Sequence, residues 1–296
     1  MMYFALPNFY EHYFLNAFMC EMNKARPEFF KTKVSFYCNQ GALPYHSWNG
    51  GINSNYGPGA YYQDFIGLQS RAQIPYRVNC ANVLLEDYDF YDNLSQIALE
   101  CLNNGSIVLE ISSIPLMEKL QEKYPYYRYM FSKQADLITS FTPEMIDSII
   151  DTDQFTLVGI PDKYTFDVAW LKEIKHKSKC EITVNPLCPA SCKNHDACLL
   201  KEHQNQLDYS NQQQRCSCSN RLEIFNEKNI LSIEKLKDYT KMGFNRFTFS
   251  NVYNASIDEV ASFYFNYFIK PEYLLEVVGM WSKRVQDLNL SLQGGN

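Results

Sequence analysis

Short apolar runs alternate along the chain with longer stretches in which apolar residues recur at the spacing of an amphipathic helix. The clear strand-type runs are residues 34–37, 75–78, 107–109, 129–131, 155–158, 181–184 and 247–249. A weaker seventh strand, before the last of these, is expected near residues 222–225 or 229–230. Strands that alternate with helical patterns indicate βαβ units and a parallel sheet.

The helical stretches between these strands end at recognisable stop signals. They cover residues 93–103, 116–123, 143–150 and 233–241, and Asn104-Gly105 and Gly243 follow two of them. Seven or eight such units over about 250 residues favour a TIM-like (β/α)8 barrel. The chain has neither a Gly-x-Gly-x-x-Gly turn nor a Walker-type loop, the main signatures of a doubly wound sheet.

The region after the last strand has a helical and aromatic pattern. It spans residues 256–285 and is interrupted at Lys270-Pro271-Glu272. We therefore expect an α/β barrel over residues 1–255, with a cysteine-rich loop at 185–220 after strand six. Extra C-terminal helices over residues 256–296 are expected to pack on this barrel.

Composition and charge narrow the class of protein. The net charge of −6 argues against a general phosphate-backbone binder, so bulk nucleic-acid binding is not expected. The N-terminus lacks the basic leading region of a signal peptide, and no window offers 18 uncharged apolar residues, so no membrane partner is expected. Ten cysteines in such a chain indicate reduced thiols, which predicts a cytoplasmic protein.

The most informative segment is the cysteine-rich one after strand six. It carries Cys188-x3-Cys192-x5-Cys198, followed by Cys216-x-Cys218. Clustered thiolates are soft ligands that suit an iron–sulfur cluster or zinc. We predict a [4Fe–4S] cluster, with zinc or unmetallated thiols as the alternatives, because the spacing matches neither a zinc ribbon nor a ferredoxin run.

The predicted metal ligands are Cys188, Cys192, Cys198 and Cys216. Cys218 and Cys38 are alternatives for the fourth position. His195 and His203 flank the thiols, and we expect them to be solvated loop residues rather than ligands. The remaining thiols sit in apolar or helical patterns and are predicted to be core residues: Cys20, Cys80, Cys101 and Cys180.

Barrel enzymes build their sites from the loops that follow the strands. The polar residues at these positions are mostly amides and hydroxyls, which suit a neutral or anionic organic ligand. The predicted ligand-binding residues are Asn79, Ser132, Asn185 and Trp48. Trp48 is expected either to cover the barrel mouth or to belong to a structural turn.

Lys133 and Asp162 are the predicted catalytic residues, since each follows a strand directly. Lys133 fits an anion clamp or a Schiff-base lysine. The structural alternative is a solvated lysine, because most lysines are exposed.

Two segments resemble the collagenase-like peptidase family and its oxygen-independent hydroxylase relatives. One is residues 181–188 with Cys192, and the other is residues 236–249. The similarity covers roughly residues 75–255. It implies a TIM-type barrel and, in the hydroxylase branch, cysteines that hold a [4Fe–4S] cluster. The chain shows no Ser/His/Asp or zinc-protease motif, so the resemblance does not predict peptidase activity.

Three functions compete on this basis. The first is an iron–sulfur barrel enzyme that modifies a small-molecule or RNA substrate, with oxygen-independent hydroxylation as the reaction that the resemblance implies. The second is a non-enzymatic barrel in which zinc or a cluster staples a long loop and the barrel face binds a partner. The third is a metal-free barrel that acts on a sugar or acyl ligand through Asn79, Lys133 and Asp162.

Overall fold

Eight parallel strands form a closed barrel in which neighbours in the chain are neighbours in space. The computed structural model describes residues 1–7, 12–41, 47–48, 75–86, 88–91, 96, 99–100, 107–186, 193–207, 229–250 and 255–293. The strands are β1 Met2–Leu6, β2 Val34–Gly41, β3 Tyr76–Cys80, β4 Ile107–Ile111, β5 Arg128–Phe131, β6 Leu157–Gly159, β7 Cys180–Thr183 and β8 Arg246–Thr248. The barrel closes where β1 pairs in parallel with both β2 and β8.

Helices follow the strands and surround the barrel. Those with described bounds are α1 Tyr13–Ala25, α2 Ile114–Lys123, α3 Pro143–Asp151, α4 Val168–Glu173, α5 His195–Leu207, α6 Ile233–Met242, α7 Ile257–Phe268 and α8 Leu274–Gln293. Side-chain caps begin several of them, and the Ser256 hydroxyl and Glu259 form a capping box at α7. Gly243 ends α6 with a φ of 110°, a left-handed conformation that favours glycine.

Alternate residues of the strands face two different environments. Outward residues such as Phe4 pack against the helices, with its ring 5.0 Å from that of Phe268 in α7. Inward residues form a separate small apolar cluster of Val108, Met130 and Leu157 inside the barrel. Charged and polar side chains share the interior with this cluster.

The predicted barrel is confirmed, and all seven clear strand predictions overlap observed strands. The N-terminal strand Met2–Leu6 is an addition, so the strand before the cysteine segment is the seventh and not the sixth. Its run of five residues contains no turn signal and is followed by a proline, a pattern that also fits a frayed terminus.

The extra strand expected before the last one is wrong at residues 229–230, which are not in a strand. The alternative position, residues 222–225, lies outside the described residues. β7 pairs directly with β8, so the place assigned to that strand is already filled. The eighth strand is instead β1, because the ring closes through the N-terminus.

The C-terminal region forms two helices, and the predicted break falls between them. α7 ends at Phe268 and α8 begins at Leu274, with a short 3-10 turn, Pro271–Tyr273, in between. Trp281 of α8 is buried, with its ring 5.4 Å from that of Phe18 in α1. α7 therefore packs on the strands, where Phe268 contacts Phe4, and α8 packs on α1.

Candidate functional site at the carboxyl end of the barrel

A buried ion-pair network crosses the barrel interior. Arg77 of β3 forms a bidentate pair with Glu181 of β7, with Nη1 and Nη2 each 2.9 Å from a carboxylate oxygen. Arg77 Nε lies 3.4 Å from Glu110 Oε2 in β4, and the Tyr37 hydroxyl donates to Glu181. A guanidinium suits this position because its fork matches a carboxylate and keeps its charge when buried.

The network changes the electrostatics of the barrel centre. Burial lowers the pKa of Arg77, but the charges of Glu181 and its other neighbours outweigh this and keep that pKa well above the ordinary value. Burial, followed by the charge of Glu181, raises the pKa of the Tyr37 hydroxyl well above its usual range. The tyrosine therefore remains a protonated donor, and the arginine remains charged.

Lys133 and Asp162 meet at the carboxyl end of the barrel, above this network. Lys133 Nζ donates to Asp162 Oδ1 at 2.6 Å and to Thr183 Oγ1 at 2.8 Å. The three residues follow or end β5, β6 and β7, three consecutive strands. The Lys133 side chain is 24% exposed, so part of it is in contact with solvent.

Gly159 allows this close approach. A Cβ atom at this position of β6 would lie 3.0 Å from the backbone nitrogen of Lys133 and 3.2 Å from Met130 Cε. Such a contact is tighter than nine in ten real Cβ contacts, so a larger residue would push the start of the turn that carries Lys133 by a few tenths of an ångström.

Ser132 and Asn79 lie on the same end of the barrel and are buried. The Ser132 hydroxyl donates to Glu110 Oε1 at 2.7 Å and accepts from the backbone nitrogen of Gln134, so it joins the interior network to the Lys133 turn. Asn79 Oδ1 accepts from the backbone nitrogen of Ala81 at 3.2 Å. These contacts position both residues, and their predicted ligand-binding role stays a prediction.

Asn185 and Ser250 meet just beyond the ends of β7 and β8. Asn185 Oδ1 accepts from the Ser250 backbone nitrogen at 2.8 Å, and both side chains are buried. Among the described residues, neither Asn185 Nδ2 nor Ser250 Oγ has a hydrogen-bond partner. Sequence analysis singled out Asn185 for its position after the strand, but not its contact with Ser250.

Trp48 is fully buried in the hydrophobic core, and its indole nitrogen donates to the Asp89 carbonyl at 2.8 Å. The Trp48 carbonyl accepts from the Asn82 backbone nitrogen. These contacts and the complete burial of the side chain fit the structural alternative. A covering role over the ligand stays a prediction.

Helix α5 crosses the carboxyl end of the barrel. It follows β7 in the chain, yet His203 contacts the segment after β3, on the opposite side of the ring. His203 Nδ1 accepts from the Val83 backbone nitrogen, and its carbonyl accepts from Asn82 Nδ2, both at 3.2 Å. Part of the region predicted as loop is therefore helical, as its run of alanine, leucine, lysine, glutamate and glutamine favours.

The two histidines of α5 differ from the solvated loop residues that were expected. His203 is fully buried, and desolvation lowers its pKa to about 3. His195 is half-buried at the start of the helix. The reason for His203 is the packing of α5 on the segment after β3, which the local sequence does not reveal.

Cys198 is the predicted metal ligand that the structure describes, and it lies half-buried on α5. Cys188, Cys192, Cys216 and Cys218 lie outside the described residues. Within the described part of the chain, no group of three or more His, Cys, Asp or Glu side chains could hold a metal ion. The support for a cluster or zinc at this place therefore comes from the sequence alone.

The predicted core thiols Cys20, Cys80 and Cys180 are buried and form no disulfide, and Cys101 lies outside the described residues. Cys38 is also buried, and desolvation raises the pKa of its thiol to about 12. This favours the neutral thiol over the thiolate that a metal requires, so Cys38 is the weaker alternative for a fourth ligand.

The residues of the interior network were not predicted from the sequence: Tyr37, Arg77, Glu110 and Glu181. The predicted site residues follow the strands or end them, whereas these four lie within strands. A charged residue in an otherwise apolar strand, as Glu110 is in Ile107–Ile111, is the signal that points to an inward ion pair.

No protein-family model matches this chain, and no curated protein is significantly similar to it. The resemblance to collagenase-like peptidases thus stays a prediction from the quoted segments. In the described ranges, no helix has the length and apolar character needed to span a membrane.

Proposed function

We propose that the protein is a barrel enzyme that acts on an organic substrate held at the carboxyl end of the barrel, against Lys133. The observation that carries the proposal is the contact of Lys133 Nζ with both Asp162 and Thr183. Three strands thereby fix the ammonium group of one partly exposed side chain at the face where barrel enzymes hold their sites.

The chemistry of this group favours a substrate with a carboxylate, phosphate or carbonyl oxygen. The Lys133 ammonium has three donors, of which Asp162 and Thr183 take two. The third is available to a substrate oxygen and stabilises negative charge that develops on it. Asp162 keeps the ammonium oriented by accepting one of its hydrogen bonds.

The buried ion-pair network lies below this site and positions residues next to Lys133. Glu110 accepts from Ser132, the residue directly before Lys133, while Arg77 holds Glu110 and Glu181 in place. The residue of β7 that bonds Lys133, Thr183, lies two positions after Glu181 on the same face of the strand. The network thus fixes two of the elements that position the ammonium group.

Substitution of Lys133 tests this proposal. Saturation-transfer NMR with acetate, methyl phosphate and pyruvate as probes should detect binding to the wild type and its loss in Lys133→Met. Lys163→Met is the matched control, because this exposed neighbour pairs with Asp136 at 2.7 Å and lies outside the proposed site. Equal binding by the wild type and Lys133→Met would overturn the proposal.

The proposal extends to a [4Fe–4S] cluster held by Cys188, Cys192, Cys198 and Cys216, with zinc as the alternative. Support comes from the thiol pattern and from α5, which carries Cys198 and contacts the segment after β3 through His203. When bound, a cluster supplies redox or Lewis-acid chemistry. The reaction implied by the resemblance is an oxygen-independent hydroxylation of a small-molecule or RNA substrate, in a cytoplasmic enzyme whose thiols stay reduced.

Metal analysis of protein purified without oxygen tests this extension. We expect bound iron, visible absorbance of a cluster, and loss of both in Cys188→Ser, Cys192→Ser and Cys198→Ser. Cys20→Ser is the matched control, because Cys20 lies in α1. Zinc in a closed four-thiolate site would instead favour the non-enzymatic binding module, and full metal retention by all three variants would refute the ligand set.

A further inference from the structure

The inward faces of β7 and β8 carry paired polar residues at successive levels. Glu181 is the register partner of Arg246, and Thr183 is the register partner of Thr248. Glu181 contacts Arg77 and Thr183 contacts Lys133, so both levels face the barrel interior. Two residues further along each strand direction lie Asn185 and Ser250, which continue the same inward column.

Asn185 and Ser250 form the top level of this column. Asn185 is 0% exposed and Ser250 is 6% exposed, yet their Nδ2 and Oγ atoms lack hydrogen-bond partners in the described part of the chain. The orientation of the amide is set by its Oδ1, which accepts from the Ser250 backbone nitrogen. Nδ2 is therefore a donor, and the serine hydroxyl beside it is also able to donate.

Two buried donors without acceptors are costly to a fold unless a ligand completes them. An acceptor with several oxygens satisfies both at once, and the ammonium of Lys133 at the Thr183 level adds a favourable charge. We infer that Asn185 Nδ2 and Ser250 Oγ form an oxyanion subsite for a carboxylate or phosphate group of the substrate. This inference rests on the proposed function, since it specifies the substrate class of that same site.

Ser250→Ala separates binding from folding. The change removes a buried hydroxyl that has no partner among the described residues, so the Tm without ligand should stay equal or rise. It also removes one donor to the oxyanion, so the Kd should rise about tenfold. Asn185→Asp is the second variant, since it keeps the acceptor for Ser250 while it replaces the Nδ2 donor with an oxygen that repels anions.

The experiment is a thermal-shift titration of the full chain with inorganic phosphate and with acetate, at constant ionic strength in chloride. Ser112→Ala is the matched control, because its hydroxyl is buried and already donates to the Ala81 carbonyl at 3.0 Å. The control should bind as the wild type does, though with a lower Tm. Stronger stabilisation by phosphate identifies a phosphate subsite, and stronger stabilisation by acetate identifies a carboxylate subsite.

Lys133→Met, measured in parallel, separates this inference from the proposed function. If Lys133→Met abolishes binding while Ser250→Ala and Asn185→Asp bind as the wild type does, the subsite is wrong and the proposed function stands. If only the Ser250 and Asn185 variants lose binding, the subsite stands and the role of Lys133 fails. Absence of any anion effect on the wild type overturns the inference.

Discussion

The outward and inward side chains of the same strands differ in chemistry: the outer ones are aromatic and the inner ones include charged groups. On the outside, Phe4, Phe249 and Phe268 form an aromatic layer between strands and helices, with ring centroids 5.0 to 5.7 Å apart. On the inside, Arg77 and Glu181 form a desolvated ion pair. The alternation of side chains along a strand places both environments within a few residues of each other.

The outer aromatic layer and the inner charged network differ in their contribution to folding stability and in their contacts with the proposed site at Lys133. Aromatic burial stabilises the folded state directly, whereas a buried ion pair often gains less from attraction than it loses in desolvation. The interior charges are connected through Ser132 and Thr183 to the Lys133 site, while the aromatic layer has no such link in the described contacts. The outer face of the strands therefore contributes most to folding stability, and the inner face carries the residues that contact the proposed site.

The aromatic layer should give the largest loss of stability. Phe268→Ala removes a buried ring that contacts Phe4, Phe36 and Phe249, and it leaves a cavity. We expect the free energy of unfolding to fall by about 4 kcal/mol in chemical denaturation. Anion binding by the fraction that remains folded should be unchanged. A loss below about 1 kcal/mol would show that the layer rearranges to fill the space.

Substitutions of Arg77 and Glu181, the buried ion pair, should have non-additive effects on the free energy of unfolding. Arg77→Met leaves the carboxylates of Glu110 and Glu181 buried without their cationic partner. The free energy of unfolding should therefore fall by about 3 kcal/mol. The double variant Arg77→Met/Glu181→Leu should be more stable than Arg77→Met, because it removes the buried charge of Glu181 that Arg77→Met leaves unpaired. Additive effects of the two substitutions in a double-mutant cycle would contradict the interior network.

The packing of α5 predicts a dependence of stability on pH. The pKa of His203 is about 3 in the folded state, against 6.5 as the ordinary value. Between these values the unfolded chain binds the extra proton, so stability falls as the pH decreases through this window. The loss attributable to His203 should be about 2 kcal/mol from pH 7 to pH 5.

His203→Asn isolates this contribution, since its Oδ1 keeps an acceptor for the Val83 backbone nitrogen. The variant should show a shallower decline in chemical denaturation curves recorded at several pH values. His12→Asn serves as the comparison, because desolvation lowers the pKa of His12 to about 4 and this residue directly precedes α1, away from α5. Identical slopes for the wild type and His203→Asn would show that His203 does not titrate as described.

The smallest expected effect on stability comes from Gly159→Ala. The added Cβ would press on the backbone of Lys133, so we expect a loss of about 1 kcal/mol and a larger change in anion affinity. Gly279→Ala is the matched control, because nothing lies within 4 Å of a Cβ there. Thermal-shift titrations of both variants measure this, and unchanged affinity in Gly159→Ala would separate Lys133 from the site.

The barrel was predictable because its strands and helices have local signals. Apolar runs such as residues 107–109 and the Gly243 stop identify elements from a few neighbouring residues. The N-terminal strand was not predictable, because Met2–Leu6 becomes a strand only through its pairing with β2 and β8. Closure of the ring is a non-local event that a local pattern does not contain.

The site was predictable in part. Lys133 and Asp162 were identified from their positions after strands, and the parallel topology brings such positions to one end of the barrel. The link between Asn185 and Ser250 depends on the register of β7 and β8, and the crossing of α5 depends on its packing near Val83. Register and packing arise between distant segments, so the sequence patterns give no direct signal for them.

The most direct test of the central claim follows the lysine side chains themselves during binding. Protein labelled with ¹³C at the lysine Cε positions is titrated with whichever of phosphate or acetate binds more tightly, and Lys133→Met and Lys163→Met assign the two resonances. We predict that the Lys133 resonance moves with saturation while the Lys163 resonance stays in place. A stationary Lys133 resonance, together with saturable movement of another lysine, would contradict the placement of the site at the carboxyl end of β5, β6 and β7.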